Sequence, residues 1–148
     1  MPLKNKDFFG LRDMSAEDIR YILGTAETMK YVMNQKSKKA PHLQGKSVIM
    51  LFYEQSARAK LAYELAAQHL SANVIDMTNS VHSIEMESLQ DMGQLIDQMG
   101  ADFIILRHPM AGAPKLLADC VDASVINAGD GFNENHGQSL LDLLTIKE

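Results

Sequence analysis

The segment SVIMLFY, residues 47–53, constrains this chain more than any other. It is apolar almost throughout and shows no polar alternation. A strand with one wet face alternates apolar and polar side chains, whereas an unbroken run of this length needs cover on both faces. Three further short apolar segments follow at residues 74–77, 102–106 and 124–127, and helix-compatible sequence lies between them at 57–70, 89–99 and 113–121. Each link is long enough to hold a crossover helix, which predicts a parallel sheet. The expected fold is therefore α/β, a four-stranded parallel sheet with helices on both faces, as one domain over residues 1–148.

The flanking segments are read in the same way. Ser15 with Asp18 resembles a capping box, and Ile19, Ile22, Leu23, Ala26, Met29 and Met33 then recur at helical spacing, predicting a helix that ends near Gln35. Residues 36–41 form a polar connection broken by Pro41. Residues 1–14 read as a loosely packed lead-in and residues 78–88 as a polar loop. A Gly-rich turn over 128–137 leads to a last helix at 139–147, which is apolar on nearly every face.

Composition removes whole classes of function. The 14 Lys and Arg residues are outnumbered by 19 Asp and Glu, a formal charge of −5 without a basic stripe, which argues against a nucleic-acid partner. The longest apolar run falls far short of the ~20 residues that span a bilayer, and the N-terminus lacks the apolar core of a secretory signal. No membrane association is expected, and the cytoplasm is the expected location. The single cysteine, Cys120, can form neither an internal disulfide nor a cysteine-based zinc site, and reads as a small core hydrophobe.

In a parallel α/β sheet, ligands gather at the carboxyl ends of the strands. The polar segments there are Glu54 to Arg58 after the first strand, Arg107-His108-Pro109 after the third, and the turn that follows Asn127. Ser56 precedes a helix whose first N–H groups and partial positive charge suit a phosphate. Its hydroxyl and the planar guanidinium of Arg58 would add donors, and Arg107 a second cation. His108 and His136 are candidate donors to a carbonyl oxygen. Taken one at a time, each of these residues also fits an ordinary surface or packed position.

Together the segments say more. FYEQSARAKLAYELAAQHL, LRHP, INAGDG and LLDLLTI, in this order and spacing, resemble the carbamoyltransferases, and INAGDG followed by QSLLDLLTIKE is similar to the aspartate rather than the ornithine branch. The resemblance implies a carbamoyl-phosphate-binding domain, no metal or cofactor, and carbamoyl transfer from carbamoyl phosphate to aspartate in pyrimidine biosynthesis. It also implies a following aspartate-binding domain, which these residues do not contain. Ser56, Arg58, Arg107 and Gln138 stand where the family's binding residues stand. Arg58, Arg107 and His136 are the expected catalytic positions, and Asn135 a substrate-binding one. In an ungapped reading Asn135 takes the place of the family's carbonyl-polarising histidine, while a local shift gives that place to His136.

The resemblance also carries departures. Ala57 and Ala59 replace two threonines of the family's Ser-Thr-Arg-Thr-Arg loop, Lys60 replaces its second arginine, and Glu85 stands where a lysine is usual. One lost preorganised donor costs on the order of 10²–10³ in rate. The expectation is weak binding of carbamoyl phosphate or phosphate, and an inactive or impaired chain that serves as an assembly partner. The expected assembly is a homotrimer, or a mixed trimer with a complete carbamoyltransferase chain. The alternative is a fragment of an active aspartate carbamoyltransferase.

Overall fold

The computed structural model describes residues 3–83, 88–133 and 135–148. Four strands form one parallel sheet in the order β2-β1-β3-β4. They are β1 (Ser47–Phe52), β2 (Asn73–Asp76), β3 (Phe103–His108) and β4 (Ser124–Asp130). Among the described residues the helices are α1 (Ala16–Met33), α2 (Ala57–His69), α3 (Thr78–Ser83), α4 (Leu89–Gln98), α5 (Ala113–Ala118) and α6 (His136–Lys147), with a short 3₁₀ turn at Pro41–Leu43. The predicted fold class stands.

The pleat divides the sheet into two cores. Val48, Met50 and Phe52 of β1 join Ile105 and Ala128 on one face, where Ala67 of α2 covers them. Ile49 and Leu51 join Ile104, Leu106 and Val125 on the other, against Met92 and Ile96 of α4 and Leu117 of α5. The unbroken apolar run of β1 is thus explained, because alternate residues serve opposite helix layers. Gly93 of α4 is set so tightly against α5 that a Cβ there would meet Leu117 Cδ1 at 2.1 Å. The capping box that starts α1 is present, with Ser15 Oγ accepting from the Asp18 N–H at 3.1 Å.

Several boundaries differ from the sequence reading, each for a physical reason. The lead-in is not loose. The Phe8 N–H donates to Val125 O at 2.9 Å and Phe8 O accepts from the Asn127 N–H at 2.8 Å, so this segment covers the outer edge of β4. Lys6 Nζ binds the carbonyls of Val121 and Ala123, and Asp7 accepts from the Val125 N–H. An edge strand presents unpaired backbone groups, and this segment satisfies them. Strands β3 and β4 run further than expected, so Arg107 and His108 lie in β3 and the Gly-rich turn starts only after Asp130. Residues 78–83 form a helix rather than a loop, with Thr78 held by Asp76 through an N–H···O bond of 2.9 Å. Helix α5 stops at Ala118, and α6 begins at His136 rather than Ser139 because Asn135 caps it. Glu85 lies outside the described residues.

Candidate functional site

The strand order reverses direction between β1 and β3. The link from β1 leads to β2 on one side, and the link from β3 leads to β4 on the other. A crevice opens outside the carboxyl ends of two such strands. Phe52 is in register with Arg107, and the Tyr53 N–H donates to Arg107 O at 2.9 Å, so the two strand ends are held side by side.

A cleft of about 600 Å³ occupies this position. Ser56, Arg58, Arg107, Asn135, His136 and Gln138 all line it. These residues come from three separate parts of the chain, and of the site candidates among the described residues only His108 is not among them. Ser56 stands immediately before α2, and its side chain makes no capping hydrogen bond. Arg58 is exposed on the first turn of α2.

Arg107 is the most constrained of the set. Its Nη1 donates to Ala128 O at 2.9 Å, and its Nε lies 3.5 Å from a carboxylate oxygen of Glu54. Gly129 is packed against its guanidinium, where a Cβ would come within 2.3 Å of Nη1, and Gly129 has a φ of +127°. The end of β4 that seats Arg107 is itself held from below. Asn127 is 1% exposed and Asp130 is 2% exposed. Asn127 Nδ2 donates to Asp130 Oδ1 at 3.1 Å and to Phe9 O at 2.8 Å, while Asn127 Oδ1 accepts from the Gly129 N–H at 2.8 Å. Asp130 Oδ2 accepts from the Gly112 N–H and from Asn133 Nδ2. INAGDG is therefore a buried polar network with its hydrogen-bond partners in place, which makes its geometry rigid.

The remaining candidates divide. His136 is buried at the first residue of α6, its ring edge-on to Phe8 with centroids 4.6 Å apart. Asn135 Oδ1 accepts from the Gln138 N–H at 3.4 Å, and Gln138 Nε2 donates to Asp142 at 2.9 Å. His108 does not line the cleft. Its Nδ1 accepts from the Met110 N–H at 3.0 Å, and its ring packs on Tyr53. Lys60 turns away to pair with Asp76 at the end of β2. Burial alone would raise the Asp76 carboxyl, but hydrogen bonds from Lys60 and Thr78 outweigh it and hold the group below its ordinary value.

Tyr63, on α2, also lines the cleft, and sequence reasoning passed over it. Its position four residues after Ala59 and seven after Ser56 was the available signal, since that spacing returns to the same helix face. Burial raises its pKa, and the Arg107 charge opposes that rise.

Comparison with known proteins gives the family. Residues 6–148 match the family described as aspartate/ornithine carbamoyltransferase, carbamoyl-P binding domain. The chain belongs to that family. It is 57% identical over its whole length to an aspartate carbamoyltransferase catalytic subunit of Acetivibrio thermocellus, and 55% identical to that of Ruminiclostridium cellulolyticum, covering 48% of each. The chain thus spans about half the length of the curated relatives it matches. The catalytic subunit of M. jannaschii aspartate transcarbamoylase superposes with a TM-score of 0.87 at 38% identity, over 96% of this chain and 46% of that one. The Trypanosoma cruzi aspartate transcarbamoylase solved with carbamoyl phosphate also gives 0.87, at 29% identity over 97% of this chain and 44% of that one. Among the described residues no helix is long and apolar enough to cross a membrane.

Two predictions follow from the site's geometry. Gly129→Ala should destabilise the fold by about 1–3 kcal/mol in chemical denaturation, through strain at its positive φ. It should also shift the Arg107 Nε–H resonance, because the guanidinium must leave the Ala128 carbonyl. Burial lowers the pKa of His108, with Glu54 opposing. The unfolded chain therefore binds more protons in the window between the ordinary value near 6.5 and the lowered folded value. Stability from this group is present above that window and lost as pH falls through it. Denaturation midpoints at pH 7.5 and 5.5 should show the loss, and His108→Gln should reduce it.

Proposed function

We propose that this chain forms the carbamoyl-phosphate half of an aspartate carbamoyltransferase catalytic site. The observation that carries the reading is the convergence of Ser56, Arg58 and Arg107, with the start of α2, on one cleft at the strand-order reversal. The α2 N-terminus, the Ser56 hydroxyl and the Arg58 guanidinium take the phosphate dianion. Arg107, held by Ala128 and Gly129, faces the same anion and the developing charge beside it. Asn135, His136 and Gln138 border the cleft from the start of α6 and are placed to meet the carbamoyl group. The amine of aspartate attacks the carbamoyl carbon, the new C–N bond forms, and the C–O bond to phosphate breaks with its electron pair leaving on phosphate. The amine proton leaves with it. Catalysis of this kind is positioning plus electrostatic stabilisation.

The reading as a piece of an active enzyme is favoured over that of an inactive assembly partner. Whole-chain identity of 57% and 55% to catalytic subunits supports it, and the seat of Arg107 is intact. The replacements at Ala57 and Ala59 still matter. Each removes a hydroxyl from the loop that receives the anion, and Lys60, engaged with Asp76, does not replace them. Binding of carbamoyl phosphate is therefore expected in the millimolar range, about −4 kcal/mol. Calorimetric titration tests this, and the double variant Ala57→Thr/Ala59→Thr should tighten it by at least ~10-fold, since a hydrogen bond to a charged group contributes roughly 1.5–3 kcal/mol. An unchanged affinity in the double variant would remove the loop from the site.

A closed trimer is the assembly that fits this reading best. Helix α6 leaves Leu141 60% and Ile146 81% exposed, and apolar surface of this kind is usually covered by another chain. Light scattering on a gel-filtration column at micromolar concentration should give three times the chain mass of 16.4 kDa. A monomer peak would leave the assembly without support.

A further inference from the structure

We propose that the Tyr63 hydroxyl is a binding donor of this site, delivering a hydrogen bond to a phosphate oxygen of the anion held beside Arg107. The inference rests on the carbamoyl-phosphate reading of the cleft and adds a residue to it. Three observations carry it. Tyr63 lines the same cleft as Ser56, Arg58 and Arg107, on the helix whose first turn receives the anion. Its Oη lies 3.5 Å from the point a Cβ on Gly137 would occupy, so the phenol reaches across the cleft from α2 to the first turn of α6.

The third observation is the state of the hydroxyl itself. The ring packs against the core that holds Ile105 and Ala128. No hydrogen bond from the Tyr63 hydroxyl to another described residue is present. The oxygen is not sealed in the interior, and it opens to the cleft. A phenol is neutral, and hence a donor, across the physiological range, and burial raises the pKa of this one further. An acceptor entering the cleft next to the Arg107 guanidinium completes it. The chemistry also matches what the anion loop lacks. Ala57 and Ala59 have lost hydroxyl donors, and Tyr63 supplies one from the next turn of the same helix.

The alternative is that the hydroxyl serves only the contact between α2 and α6. Tyr63→Phe separates the two, because it keeps the ring and removes one oxygen. The full chain and the variant are titrated calorimetrically with inorganic phosphate and with carbamoyl phosphate, and their denaturation midpoints are measured in parallel. Expected are a ~10-fold or greater weakening for both ligands and an unmoved midpoint. Phosphate binding should also perturb the near-ultraviolet tyrosine absorption of the parent chain, and Tyr63→Phe should abolish that perturbation. Equal affinities in parent and variant would overturn the inference, as would a loss confined to carbamoyl phosphate, which would move the contact to the carbamoyl end. A parent chain that binds neither ligand would instead overturn the reading of the cleft itself, and the titration of the parent alone reveals that case.

Discussion

Both faces of the parallel sheet must be covered at once, and everything else in this structure is arranged around that demand. A parallel ladder satisfies its backbone groups only by long crossovers, and the crossovers bring the helices that bury its two faces. Side chains of β1 go alternately to α2 and to the α4–α5 layer. At the carboxyl ends of β1 and β3 the same geometry leaves backbone and side chains facing outward, and the cleft opens there. The cleft is a consequence of the packing, since the links from these strands depart in opposite directions.

The connection between core and site runs through β4. Asn127 and Asp130 are buried polar groups, and burial of such groups without partners would cost roughly 1–3 kcal/mol each. Their mutual hydrogen bond, with those to Phe9, Gly129, Gly112 and Asn133, removes that cost and locks the end of β4. Rigidity here is transmitted directly to the cleft, because Ala128 O and the bare backbone of Gly129 set where the Arg107 guanidinium lies. The N-terminal segment takes part as well. Phe9 O accepts from Asn127 and the Phe8 ring packs on His136, so residues that looked like a loose lead-in brace the site from outside.

The electrostatics of the cleft are balanced rather than purely attractive. Arg107 has Glu54 at 3.5 Å, and Lys60 is committed to Asp76. On the proposed reading, Arg58 and the helix start therefore carry more of the attraction for an incoming anion than a count of nearby cations suggests. A partly exposed pair such as Arg107–Glu54 is screened by solvent and contributes modestly, so an anion with two or more oxygens can compete for the guanidinium.

The fold class was legible in the sequence because unbroken apolar runs and alternation with helical segments are local properties of the chain. The capping box of α1 and the positions of Ser56, Arg58 and Arg107 at strand ends were legible for the same reason. The sequence could not determine that β3 continues through His108 or that β4 continues through Gly129, since glycine and histidine are poor strand signals and the extension comes from pairing with a neighbour. Nor could it show that Lys60 turns toward Asp76, that His108 faces Met110 instead of the cleft, or that Tyr63 lines it. These are decided by which elements lie side by side after the sheet has closed. Contacts between residues far apart in the chain leave no periodic trace in the sequence, and only the tertiary structure brings them together.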